Sequence, residues 1–301
     1  MLRLGAHESI AGGLHRAVER GLKAGCESLQ IWTKNSRQWD APPLDDTAIT
    51  LFREAVNDAG LRPVVAHAAY LINIASPDLQ LNRRSVASLI QELERCEALE
   101  IPYLILHPGA HTGAGTDNGL AQAVRGLSEV HTALPGYRAR ILLETTAGQG
   151  TTLGGTFEEL AHLLDRTQGG ERLGICLDTC HVFAAGYDVR TVEGYEGMMA
   201  ALDHAIGLER LAVIHLNDSQ QPLGSRRDRH EHIGDGHLGA AAFALLLRDQ
   251  RLDGLTGILE TPKSEDLCED RENLARLRSM VAPGAALDGW TDRIADLCGS
   301  Q

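Results

Sequence analysis

Eight times along this chain a short apolar run stops on a polar residue and gives way to a longer stretch whose apolar residues recur at three and four. The runs are LRLGAH (2–7), SLQIWTKN (28–35), RPVVAH (62–67), YLILH (103–107), RILLE (140–144), LGICLD (173–178), LAVIH (211–215) and GILE (257–260). Near-continuous apolar strands suit a sheet buried on both faces, and intervening stretches such as SVASLIQELERCEALE can lay one apolar face on it. Eight such units with no strand left over predict a closed (β/α)8 TIM barrel of the α/β class. The strand ends at 67, 107, 144, 178, 215 and 260 fall 34 to 45 residues apart, with no Pro/Gly/Ser-rich linker between units. A single domain is therefore expected over 1–301, with a core of about 2–281 and a C-terminal tail of about 282–301.

In a parallel barrel the C-terminal strand ends meet at one mouth, which carries the chemistry. Here they are His7, His67, His107, Glu144, Asp178, His215 and Glu260. Alone, any of these is most simply a solvated or loop-bonding residue, but seven on one mouth point to a metal site. The exception is the second run, which ends in Thr33, Lys34 and Asn35. Loops on the same face add His181, three residues past Asp178, and the stretch RRDRHEHIGDGH at 226–237. Within that stretch Asp228 and His230 are two apart and would face the same way in an extended loop; His232 and His237 would serve as well. With the first pair the tally is five imidazoles and four carboxylates, His7 being a spare. That is too many donors for one ion, and nitrogen and oxygen donors without thiolate suit Zn²⁺ or Mn²⁺.

The balance of 28 Lys and Arg against 41 Asp and Glu gives a net charge of −13, which argues against a polyanionic partner unless the field is positive locally. More than one divalent ion at the mouth would supply such a field, beside Lys34, Arg37, Arg226, Arg227 and Arg229. Six scattered cysteines without a C-x-x-C pair fit a reducing cytoplasm. The N-terminus has no export signal, and no apolar run approaches the roughly 18 residues of a membrane span. The glycines of 148–154 lack nucleotide-loop spacing, and Asn217-Asp-Ser219 matches a glycosylation acceptor that a cytoplasmic chain does not use.

The runs GAHES, TKNSRQW, HPGAH, LDTCHVFAAGYD, HLNDS, GSRRDRHEHIGDGHLG and GILETP resemble those of the endonuclease IV family of apurinic/apyrimidinic endonucleases, and the likeness extends from Leu4 to about Pro262. The resemblance implies a TIM barrel with three Zn²⁺, one site taking Zn²⁺ or Mn²⁺. The implied activity, in base excision repair, is incision of double-stranded DNA on the 5′ side of abasic sites, leaving a 3′-hydroxyl and a 5′-deoxyribose phosphate, with 3′-phosphodiesterase and 3′-phosphatase action on blocked ends. It carries the ligand set to His67, His107, Glu144, Asp178, His181, His215, Asp228, His230 and Glu260, settling the loop choice. One ion takes His67, His107 and Glu144; Glu144 bridges to a second with Asp178, His215 and Glu260; the third takes His181, Asp228 and His230. Glu144 and Glu260 are then the catalytic carboxylates, beside a hydroxide shared by two ions, and DNA contacts fall to Lys34, Asn35, Arg37, Tyr70, Leu71 and Arg229. A monomer in the bacterial cytoplasm, at the nucleoid during repair, is expected. Two rivals are a sugar isomerase or epimerase using Glu144, Asp178, His215 and Glu260 around one ion, and a scaffold that only binds damaged DNA.

Overall fold

In the computed structural model, which describes residues 1–281, the apolar runs form a closed parallel barrel. Its strands are β1 (Arg3–Glu8), β2 (Ser28–Ile31), β3 (Val64–His67), β4 (Tyr103–Leu106), β5 (Arg140–Glu144), β6 (Leu173–Asp178) and β7 (Leu211–His215). Next come β8 (Asp218–Ser219) and β9 (His230–Glu231), an antiparallel pair above the mouth, and β10 (Thr256–Leu259), which closes the ring between β7 and β1. The register at closure pairs Arg3 with Thr256 and Ala6 with Leu259. The expected tail lies outside the described residues.

Helices α1 (Leu14–Ala24), α2 (Asp46–Ala59), α3 (Leu79–Leu99), α4 (Thr116–Ala133), α5 (Phe157–Arg166), α6 (Thr179–Ala185), α7 (Val192–Ala205), α8 (Gly239–Arg248) and α9 (Cys268–Met280) fill the connections. Their ends follow local chemistry. Asp45 accepts from the Ala48 amide at 2.7 Å to start α2, and Gly60 at φ 66° ends it. Asp78 accepts from the amides of Gln80 and Leu81, so α3 starts at Leu79, before the periodic stretch at Ser85. Among the described residues no helix is long and apolar enough to cross a membrane.

Two apolar layers hold the barrel. The outer one packs helices on the sheet; the inner one is Val65, Ile105, Leu142, Cys176, Val213 and Ile258, fully buried inside the ring. Burial of each large apolar side chain is worth about 1.5–3 kcal/mol. Side chains alternate along a strand, so the next inward position is two residues further on. On these six strands it holds His67, His107, Glu144, Asp178, His215 and Glu260. The closed floor thus sets the height and direction of six candidate ligands at once. Departures from expectation are local: the run 28–35 leaves the sheet after Ile31, and α6 and the β8–β9 pair arise where loops were expected.

Candidate metal centre

Glu144, with no exposed surface, lies where two groups of ligands meet. Its Oε2 is 3.1 Å from Nε2 of His67 and 3.1 Å from Nε2 of His107. Its Oε1 is 3.0 Å from Nδ1 of His215, which is itself 3.3 Å from Glu260 Oε2 and 3.8 Å from Asp178 Oδ2. A third group gathers around Asp228: Oδ2 lies 3.1 Å from His181 Nε2, and Oδ1 lies 3.2 Å from His230 Nε2. All nine residues named by the resemblance fall into adjoining clusters, but Asp178 rather than Asp228 clusters with His181 and His230, while Asp228 clusters with His230 and Cys180. His7 stays outside the metal-ligand groups, its ring centroid 4.1 Å from that of Trp32, and burial lowers its pKa to about 4.

The free ends of the rings are aimed by what holds the other ends. His67, His181 and His230 direct Nδ1 at the carbonyl oxygens of Ala68 (2.8 Å), Thr145 (2.8 Å) and Glu260 (3.1 Å), which turns Nε2 inward. The buried Nε2 atoms of His181 and His230 have no hydrogen-bond partner, so their short approaches to Asp228 lack hydrogen-bond geometry. Two inward lone pairs facing a carboxylate are what a divalent cation accepts. The electrostatics agree. Burial opposes a charge on His67, yet Glu144 outweighs it and lifts the ring to about 9; burial likewise opposes His230, which Asp178 and Asp228 lift to about 9. Burial would raise Glu144 and Glu260, but the facing histidines hold both below the usual carboxylate range. A field this favourable to cationic imidazole favours a metal ion equally. Cys180 also borders the third group, but burial pushes its thiol up to about 12 and its Sγ faces the Arg229 carbonyl oxygen, so nitrogen and oxygen donors remain the set.

Asn217, whose sequon suggested nothing beyond an unused acceptor, is fully buried. Its Nδ2 donates to Asp178 Oδ2 at 2.7 Å, and its Oδ1 accepts from the Glu260 amide at 2.8 Å, tying two ligands together. Next to it, buried Asp218 accepts from the amides of Gly234, Gly236, Leu238 and Gly239 and so folds the end of the 226–237 stretch around one carboxylate. A Cβ on Gly236 would come within 2.4 Å of Asp218 Oδ1, which is why a glycine stands there. This clamp sets the loop so that Asp228 and His230 reach His181. His232 instead bonds Asn273, and His237 is exposed.

The expected DNA contacts separate. Tyr70 is 67% exposed, with its ring edge on Trp32 at 5.6 Å, while Arg37 and Arg229 are exposed and Leu71 is half-buried at the same mouth. Asn35 is exposed and its Oδ1 accepts from the Arg37 amide at 2.9 Å, shaping that loop. Lys34 departs from expectation. It is 4% exposed, its Nζ lies 3.2 Å from Glu92 Oε1, and it donates to the carbonyl oxygens of Gln38 and Trp39. Its charge is spent inside, fastening the loop that presents Arg37, and is not offered to phosphate. Between Tyr70 and the ligands lies a cleft of about 360 Å³, lined in part by Asn73, Ala110, Thr152, His181 and Asp228.

Known proteins match this arrangement. The family description "xylose isomerase-like TIM barrel" fits residues 18–280. A probable endonuclease 4 from Chloroflexus aurantiacus is 52% identical over 281 residues, which cover 93% of this chain and 99% of that relative. The crystal structure of endonuclease IV from Thermus thermophilus superposes with a TM-score of 0.81 at 39% identity, covering 92% of this chain and 98% of that one. A D-tagatose 3-epimerase-like protein shares the fold alone, at 21% identity and a TM-score of 0.69, with 93% of this chain and 98% of that one covered. With half of its residues identical along nearly its whole length, and with its candidate metal-ligand groups assembled in a closed barrel, the chain belongs to the endonuclease IV family.

Proposed function

We propose that this protein is a metal-dependent DNA repair endonuclease that hydrolyses the phosphodiester on the 5′ side of an abasic site and leaves a 3′-hydroxyl and a 5′-deoxyribose phosphate. The observation that carries this reading is the gathering of nine nitrogen and oxygen donors into adjoining groups, two of which share Glu144, in a chain 52% identical to a probable endonuclease 4. His67 and His107 with Glu144 would hold one ion, Asp178, His215 and Glu260 with Glu144 a second, and His181, Asp228 and His230 a third; the donors favour Zn²⁺, with Mn²⁺ admissible in one site. Bound there, divalent ions supply Lewis acidity for phosphodiester hydrolysis.

The chain's own residues do the rest. Glu144, fully buried, and Glu260, half-buried at the cleft, fix charge beside the scissile phosphate, and Asn217 keeps Glu260 and Asp178 from drifting apart. Arg37, Tyr70 and Leu71 enter the duplex at the lesion, a wedge that bends DNA at the cost of unstacking, and Arg229, exposed between Asp228 and His230, adds a positive charge for the backbone. The cleft beyond Tyr70 accepts a sugar phosphate without its base, and the same geometry admits 3′-blocked ends. All nine donors come from one chain, which supports action as a monomer, at the nucleoid in the bacterial cytoplasm. An isomerase around Glu144, Asp178, His215 and Glu260 leaves His67, His107, His181, Asp228 and His230 without work.

The test is elemental analysis of the purified protein alongside incision of a duplex carrying one abasic site. About three ions per chain and a cut on the 5′ side of the lesion are expected. One ion per folded chain with an intact duplex overturns the proposal in favour of the isomerase, and full metal with tight binding but no cut favours a scaffold.

A further inference from the structure

The six ligand-bearing strands leave two others, and β2 supplies the most consequential of the remaining inward side chains. Gln30 has no exposed surface and stands in register beside His7 on one side and Val65 on the other. Its amide spans the mouth. Oε1 is 2.8 Å from Nε2 of His215, while Nε2 is 2.8 Å from Nδ1 of His7 and also bonds Oε1 of Glu260.

Which end of the amide faces which neighbour follows from chemistry. An ionised Glu260 offers only acceptors, so the amide NH₂ must face it and the carbonyl oxygen must face His215. A carbonyl accepts and cannot donate, so His215 carries a proton on Nε2 and turns Nδ1 toward Glu144 Oε1 at 3.0 Å, Glu260 Oε2 at 3.3 Å and Asp178 Oδ2 at 3.8 Å. This is the reverse of His67, His181 and His230, whose Nδ1 atoms are held by backbone carbonyls and whose Nε2 atoms face inward. Those three tautomers are fixed by main chain; that of His215 rests on one side chain. The second N–H of the Gln30 amide goes to Nδ1 of His7, which anchors the amide against rotation, and the N–H given to Glu260 Oε1 leaves Oε2, the oxygen nearer His215, free.

We propose that Gln30 is the positioning residue of the ligand group formed by Glu144, Asp178, His215 and Glu260: it fixes the His215 tautomer by accepting from Nε2 and the Glu260 rotamer by donating to Oε1. The proposal rests on the metal reading above for its affinity arm and is independent of it for its tautomer arm. Loss of a partner that orients a metal ligand typically weakens metal binding by about 10–100-fold.

Two variants separate the two bonds. Gln30→Leu keeps the volume and removes both; Gln30→Glu keeps an acceptor for His215 but sets a second carboxylate against Glu260. Metal-free protein with ¹⁵N-labelled imidazoles is examined by NMR, the His215 ring being assigned by its loss in His215→Asn, and Zn²⁺ affinity is measured by chelator competition. The wild type and Gln30→Glu should show a His215 proton held on Nε2 in one ring state, and Gln30→Leu a mixture. Both variants should bind their weakest Zn²⁺ about 10–100-fold less tightly, with the other ions within about 3-fold of wild type. A pure Nε2–H tautomer in Gln30→Leu, or unchanged Zn²⁺ affinity in whichever variant folds, overturns the proposal. Wild-type protein that binds no Zn²⁺ while keeping the tautomer difference condemns the metal reading and leaves the role of Gln30 standing.

Discussion

Replacing Glu144 by glutamine keeps its shape and removes the charge on which two ligand groups converge. Opposite unit charges at the 3.1 Å between Glu144 Oε2 and His67 Nε2 attract by about 5 kcal/mol at an effective dielectric of about 20. A divalent ion in that place would gain more. Relief from the several kcal/mol spent in dehydrating a buried carboxylate cancels much of the difference, leaving about 3 kcal/mol, or roughly a 100-fold loss in affinity. The side-chain amide also turns a donor toward one group, and each oxygen serves its own: Oε2 faces His67 and His107, Oε1 faces His215. Glu144→Gln should therefore lose at least about one ion per chain on dialysis, and single-turnover incision of an abasic-site duplex should fall by at least about 100-fold. Circular dichroism should stay unchanged, because the barrel floor beneath is untouched. A folded variant with full metal content and a near-normal rate would refute the bridging role.

Three further outcomes are expected. Arg37→Ala combined with Tyr70→Ala should keep metal content and thermal midpoint but weaken binding to the lesion duplex, by about 1–3 kcal/mol per lost contact; titration and single-turnover cleavage separate the two, and unchanged affinity with collapsed cleavage would assign these side chains to the chemical step. Lys34→Ala strips the partner from Glu92, a carboxyl already pushed up by burial and otherwise relieved by Lys34, so urea unfolding should report a loss of about 3–5 kcal/mol; a variant of normal stability that merely binds DNA less would return Lys34 to the DNA contacts. Burial lifts Glu8, which lies 3.7 Å from Lys263 Nζ, from 4.5 to about 7, so the folded state holds this proton more tightly than the unfolded chain. That stabilisation is full below about 4.5 and is lost as pH rises through about 7. Glu8→Gln should therefore gain on the wild type by up to about 3 kcal/mol between roughly pH 5 and pH 8, and a constant difference in unfolding free energy across that window would contradict the assignment.

The barrel and its candidate ligands could be read because both arise from short-range patterns. An apolar run followed by a polar terminus marks a strand end by itself, and all nine ligands lie at such ends or in the loops just beyond. What the sequence hid depends on partners far along the chain. Lys34 follows a strand like any solvated loop lysine, and its burial comes from Glu92 on α3. Asn217 looked like a sequon because nothing local announces that it ties Asp178 to Glu260. Gln30 was passed over because the run 28–35 was followed to its end, whereas the backbone leaves the sheet after Ile31. The inward alternation that places six of the nine candidate ligands two residues past a core position would have stopped at Gln30.

Closure of the ring through β1 and β10 ties the metal centre to the direction of synthesis. His67, His107 and Glu144 come from three consecutive strands, so the first ligand group is complete once β5 has joined the sheet. The second needs Glu260, beyond β10, and β10 pairs with residues at the very start of the chain. Domains are laid down from the N-terminus, and long-range pairings form last. A nascent chain would therefore gather the donors of one candidate cation group long before those of the neighbour that shares Glu144. An ion held by the second group would fasten the last-made strand to β5, β6 and β7.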